Sequence, residues 1–141
     1  MAASQLPLGT LKYLYLGSKA YEADRAYYRD VIGAEKVWEF NRFGARVAAF
    51  RVSDGPLLLI ADHRPAPSCQ PIFAVKDLAA ATAALAARGW KPDGERFEIP
   101  DGPCYRFTDP SGNPLAIYQD DHPDKLPRAY ADPGNASAVR D

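Results

Sequence analysis

Polar and apolar positions alternate in short runs along most of this chain, and two longer stretches break the alternation with helical spacing. "LKYLYLG" (11–17) is rich in aromatic and aliphatic residues and reads as a strand. The following "SKAYEADRAYYRDVI" (18–32) places Ala20, Ala23, Tyr27 and Val31 three and four residues apart, the signature of a helix with one apolar stripe. Ser18 is the expected cap of that helix, and Gly33 stands where its end needs a positive φ. Three strands are then predicted, "EKVWEF", "ARVAAFRV" and "PLLLIAD", divided by the turn sequences "NRFG" and "SDG".

The same order recurs. "QPIFAV" reads as a strand and Asp77 as a cap, while "LAAATAALAAR" reads as a helix with Leu78, Ala81 and Leu85 on one side, closed by Gly89. "WKPDGERFEI", "CYRF" and "PLAIYQ" are three further strands, the last two joined by the hairpin turn "DPSGN". Each half is therefore strand–helix–strand–strand–strand. A duplicated unit of this size packs against its copy, because one alone cannot cover its sheet. The expected organisation is one domain over 1–141, with modules at about 10–63 and 69–119, a Pro-rich connector "RPAPSC" and a polar extension over 120–141. That extension lacks periodicity and is expected to be loosely ordered or laid over a partner subunit.

Length and composition narrow the class. A chain of 141 residues, 47% hydrophobic and 25% charged, can bury a core without staples. The net charge of −1 and the lack of a basic block argue against nucleic acid as partner. No apolar run is long enough to span a bilayer, and "MAASQLPLGT" lacks the pattern of a secretory signal, so no membrane partner and a cytoplasmic location are expected. Cys69 and Cys104 are too few for a disulfide scaffold and are expected as reduced thiols.

Three stretches, "AYYRDVIGAE" (26–35), "FAVKDLAAATAALAARGW" (73–90) and "YRFTDPSGNPLAIYQ" (105–119), resemble the vicinal-oxygen-chelate superfamily of glyoxalases, extradiol dioxygenases, fosfomycin-resistance transferases and bleomycin-resistance proteins. The resemblance covers roughly residues 10–119. It implies an α+β fold of paired βαβββ modules, a cupped eight-stranded mixed sheet with outer helices, a ligand cavity in the cup, and a homodimer. In metal-dependent members the ligands are His or Gln opening each module and Glu later in the strands. Carried over by motif, the positions fall on Tyr13, Gln70 and Ala116, with Asp62 the sole carboxylate near the fourth. Protonated phenol, neutral amide and methyl are poor donors for a divalent cation, so no metal and no other cofactor is expected there.

His63 and His122 have no His partner at metal-binding spacing and read as solvated turn residues. Strand alternation puts Tyr13, Tyr15, Gln70, Ile72, Cys104, Arg106, Ala116 and Tyr118 on one side, and Leu14, Leu16, Phe73, Val75, Tyr105, Phe107, Leu115 and Ile117 on the other. The first set without Ile72, joined by Trp38, is the candidate ligand-binding surface, with aromatic walls and few polar anchors. Arg106 pairs either with an anionic ligand or with Asp62 or Glu39. Cys104 reads as a small filler. Trp38, Phe40 and Phe43 line a cavity rim or a dimer contact.

Two functions fit this reading. One is a metal-free small-molecule-binding protein of the bleomycin-resistance type, holding an aromatic or anionic ligand. The other is a divergent glyoxalase- or dioxygenase-like enzyme with a displaced metal site, or with acid–base chemistry by Tyr13, Asp62 or Cys104.

Overall fold

The alternating segment that opens the chain forms β1 (Thr10–Gly17), and the rest follows the expected order of elements. The computed structural model describes residues 6–140. The expectation about a leader sequence rests partly on residues 1–5, outside that range. Two units are distinguished: Tyr13–Cys69 with the chain from Asp124 onward, and Gln70–Pro123 with the segment up to Lys12.

The first unit comprises most of β1, α1 (Tyr21–Ala26) continuing as a π-helical turn (Tyr27–Ile32), β2 (Glu35–Arg42), β3 (Ala45–Arg51) and β4 (Leu57–Ala61). Its strand order is β2-β3-β4-β1, with β1 parallel to β4 and the other pairs antiparallel. One face packs on the helix through Tyr21, Ala48, Phe50 and Ile60, flanked by Leu16 and Tyr28. Burying a side chain of this size stabilises by about 1.5–3 kcal/mol.

The helix meets this core with a different face from the one expected. Ala20, Ala23, Tyr27 and Val31 are all exposed, while Tyr21 is buried and Asp24, Arg25 and Tyr28 are partly covered. The packed stripe carries charge, which hides it from an apolar pattern. Arg25 reaches Glu39, and Asp24 accepts a hydrogen bond from Ser18. Ser18 is thus not the expected cap; Ala20 holds that position without a side-chain bond. Gly33 does end the helix in the left-handed conformation, with φ 77°.

The second unit comprises β5 (Cys69–Val75, from Gln70), α2 (Leu78–Ala86), β6 (Phe97–Ile99), β7 (Gly102–Thr108) and β8 (Pro114–Gln119). Its order is β5-β8-β7-β6, with β5 parallel to β8. Asp77 caps α2 by accepting from the Ala80 amide. Leu78, Phe107 and Ile117 form its core, with Ala81, Leu85, Trp90 and Tyr105 around them. The β7–β8 turn is held by Asp109, which accepts from the amides of Ser111 and Asn113. The strand expected from residue 90 shrinks to Phe97–Ile99. Trp90 packs in the core of the second module, as expected for it, and the Asp93 amide donates to the Arg106 carbonyl.

The C-terminal extension folds back on its own unit, contrary to the loose or partner-bound tail expected. α3 (Lys125–Ala131) packs by β2, and residues 137–139 run antiparallel to its free edge: the Asn41 amide donates to Ser137, and the Val139 amide to Glu39. Covering an edge strand removes a template for unwanted pairing. No helix among the described residues is long and apolar enough to cross a membrane.

Candidate functional site

Register assigns the faces directly, because paired residues on neighbouring strands share a side. In the first unit Trp38, Ala49, Leu59 and Tyr15 form one cross-strand row, and Tyr13 pairs with Leu57 on the same face. Phe40, Val47, Ala61 and Gly17 form the adjacent row. In the second unit Ile72, Ala116 and Arg106 form one row; Ala74, Tyr118, Cys104 and Phe97 form the next. Each unit therefore collects the expected residues on the face away from its main helix: Tyr13, Tyr15 and Trp38 in one, Gln70, Cys104, Arg106, Ala116 and Tyr118 in the other.

The same pairings give the residue of the first unit that corresponds to Ala116. Gln70 precedes Ile72 by two residues, and Ile72 pairs with Ala116. Tyr13 precedes Tyr15 by two residues, and Tyr15 pairs with Leu59. The counterpart of Ala116 is thus Leu59, a buried aliphatic residue, and not Asp62. Asp62 follows the end of β4 and accepts from both the amide and the guanidinium Nε of Arg46, whose own ring contact is with Tyr21 on the helix side. Burial works to raise the Asp62 pKa, but those hydrogen bonds outweigh it and hold the carboxyl below its usual range. If the positions carried over from the family resemblance are kept, the first unit offers Tyr13 and Leu59 and the second offers Gln70 and Ala116. Such donors do not fit a divalent cation, and no group of three or more His, Cys, Asp or Glu among the described residues could hold one.

Around Tyr15 the chain makes a polar cluster that the sequence does not advertise. Gly17 lies two residues on, on the same face, and carries no side chain. There the connector crosses the sheet: a Cβ at Gly17 would overlap the Pro65 carbonyl oxygen, and the Gly17 amide donates to the Ser68 carbonyl. That crossing seats His63 and Arg64 on Tyr15. The Tyr15 hydroxyl and His63 Nε2 are hydrogen-bonded at 3.0 Å, and the Arg64 guanidinium lies 4.9 Å from the centre of the Tyr15 ring. His63, expected as a solvated turn residue, is exposed yet engaged by a phenol. His122 is exposed.

The remaining candidates are less reactive than their side chains suggest. Arg106 is exposed and stacks on Phe97 at 4.6 Å, so it lacks the burial that would demand a counter-ion. Its expected internal partners are engaged elsewhere, Asp62 with Arg46, and Glu39 with Arg25 and Lys36 at 2.9 Å each. Burial pushes the Cys104 thiol up to about 11, with Arg106 pulling in the opposite direction, so it stays protonated near neutral pH. Trp38 is 3% exposed and packs on Phe40 with ring centres 5.6 Å apart. Phe43 stands 93% exposed at a hairpin tip. Two grooves, of about 610 and 960 Å³, flank α2. Neither is lined by any of the expected site residues, and both lie beside the helix.

Comparison with known structures agrees with this architecture. The methylmalonyl-CoA epimerase of Mycobacterium tuberculosis superposes with a TM-score of 0.68 at 15% identity, over 82% of this chain and 91% of that one. The Mn(II)-bound glyoxalase of Novosphingobium aromaticivorans gives 0.60 at 24% identity, over 79% of this chain and 38% of that one. The 2,3-dioxygenase LapB of Pseudomonas sp. KL28 gives 0.59 at 21% identity, over 80% and 41%. These likenesses concern the fold. No curated relative matches the sequence. Residues 10–117 match the family described as the Glyoxalase/Bleomycin resistance protein/Dioxygenase superfamily, and the chain belongs to it.

Proposed function

We propose that this protein is a metal-independent member of its superfamily that binds a small organic molecule on the aromatic faces away from α1 and α2. What supports this reading is the register, which aligns Tyr13 and Leu59 in the first unit with Gln70 and Ala116 in the second, where the family resemblance leads one to expect metal ligands and none of the four side chains is a good donor. A face of phenols and indole with few polar groups suits an organic ligand held by shape and by a few hydrogen bonds. The reading includes a homodimer and a cytoplasmic location, as the family resemblance and the composition suggest.

Elemental analysis of protein purified without a polyhistidine tag tests it. Expected is less than stoichiometric Ni, Zn, Mn or Fe, with unchanged melting after chelator treatment. A stoichiometric divalent ion whose removal lowers the melting temperature would overturn the proposal.

A second reading, an enzyme working by proton transfer, is favoured by the hydrogen bond between Tyr15 and His63. Imidazole gives and takes protons near neutral pH more readily than other side chains, and a phenol beside it can pass a proton on. Turnover abolished by Tyr15→Phe, with ligand affinity retained, would select the enzyme over the binding protein.

A further inference from the structure

We infer that the groove between α2 and residues 6–9 holds a free anionic amphiphile, an organic acid with an apolar chain, with its head group at Arg88. None of the residues assigned to the proposed ligand surface lines this groove, so the inference goes beyond the proposed function.

The groove, of about 960 Å³, belongs wholly to the second unit. One wall exists because Gly9 holds φ 70° with its bare α-carbon against the Ala74 carbonyl oxygen, where a Cβ would overlap. That contact lays the preceding residues along the end of β5. Leu8 packs against the core, as Val75 and Leu85 do, while Leu6 and Pro7 stay on the wall and Leu6 remains exposed. Val75 and Leu85, both half-buried, turn their remaining surface to the groove. A concave, largely apolar channel of this volume suits a small organic ligand.

Charge sets the polarity of the occupant. Lys12, Lys76 and Arg88 stand on the groove, Lys12 partly covered, and none has an ion pair among the described residues. The acids on the groove, Asp77 and Asp120, gather at one end. Asp77 caps α2 by accepting from the Ala80 amide, and the Asp120 amide donates to the Val75 carbonyl, two residues before Asp77. Arg88 follows the other end of α2, roughly 15 Å away along the helix axis. That end therefore presents a guanidinium with neither acid beside it. A cleft with one sign of charge concentrates the opposite ion, and the planar fork of a guanidinium suits a carboxylate. The apolar channel leading from Arg88 takes the chain. A bilayer surface fits less well, because membrane insertion needs an apolar face that protrudes, and this one is concave.

The test is calorimetric titration of the full chain with octanoate, octylammonium and acetate, on the parent protein and on Arg88→Gln, Ala84→Phe and Arg96→Gln. Amide chemical shifts map the octanoate complex. Expected is octanoate binding at least tenfold tighter than either other probe, with shifts at Ala80, Ala84 and Arg88. Arg88→Gln should lower octanoate affinity at least fivefold, and Ala84→Phe, which places a ring in the groove, at least tenfold. Arg96→Gln, on the other groove, should bind as the parent does. Thermal melts of each variant guard against unfolding as the cause. Octylammonium binding as tight as octanoate, no octanoate binding, shifts confined to Tyr13, Tyr15 and Trp38, or parent-like affinity in folded Arg88→Gln would each overturn the inference. Cosedimentation with phosphatidylglycerol vesicles, abolished by Arg88→Gln and without octanoate binding, would assign the groove to a membrane and overturn it as well. A stoichiometric metal would remove the metal-independent reading and leave this site standing.

Discussion

Gly17 and Pro65 are in contact across the sheet: the bare α-carbon of the one faces the carbonyl oxygen of the other, with no room for a methyl group between them. The backbone hydrogen bond from Gly17 to Ser68 fixes the same crossing. A glycine in a strand commonly marks such a close backbone approach. Here it decides which side chains reach Tyr15.

Gly17→Ala should therefore push the connector off β1. Overpacking of this kind costs about 1–3 kcal/mol. The variant is expected to remain folded but to melt earlier and to lose the Tyr15–His63 contact, seen as a changed His63 ring resonance. An unchanged melting temperature and an unchanged His63 signal would show that the crossing is not tight.

Glu39 is 2% exposed and receives hydrogen bonds from Tyr21, Arg25 and Lys36. The buried hydroxyl of Tyr21 is held protonated, by desolvation first and by the Glu39 charge second. Removing one partner from a buried charged group leaves the others uncompensated, so Glu39→Ala should cost about 3–5 kcal/mol. Tyr21→Phe removes one hydrogen bond to a charged acceptor and should cost about 1.5–3 kcal/mol. Urea unfolding midpoints that rank Tyr21→Phe below Glu39→Ala would refute this assignment.

Asp62 makes stability depend on acid in a defined direction. Its folded pKa lies below the ordinary carboxylate value, so the unfolded chain takes up the proton first as pH falls. The contribution is full above the unfolded value and disappears as pH drops through the folded one. Asp62→Asn should be less stable than the parent at neutral pH, and the two should converge in strong acid. Parallel stability curves across that window would exclude Asp62 as the source.

Phe43 holds φ 54° and Gly44 φ 77°, the pair of positive angles a two-residue hairpin loop requires. A left-handed conformation costs an ordinary residue roughly 1–2 kcal/mol, and Asn bears it best. Phe43→Asn also gives up the Arg42 contact with the ring at 5.0 Å, worth about 0.5–1 kcal/mol at an exposed site. A small net gain is expected for Asn and a clear loss for Phe43→Val, whose branched side chain suits that conformation least. The order of urea midpoints should be Asn, then Phe, then Val.

The α+β class, the order of strands and helices, the cap at Asp77, the stop at Gly33 and the division of side chains between faces can all be read along the chain. They depend on neighbours two to four residues apart, and that is the range over which periodicity and turn chemistry act. What could not be read is every relation that closes over a long loop. That Leu59, and not Asp62, corresponds to Ala116 follows only from the register of β1 and β4. The buried stripe of α1 was obscured because Asp24 and Arg25 are charged, and their partners at Ser18 and Glu39 become visible only when the chain is folded. The edge pairing of residues 137–139 on β2 and the seating of Arg64 on Tyr15 depend on backbone crossings tens of residues apart. Those are set by packing and hydrogen-bond satisfaction across the whole unit, which no local pattern encodes.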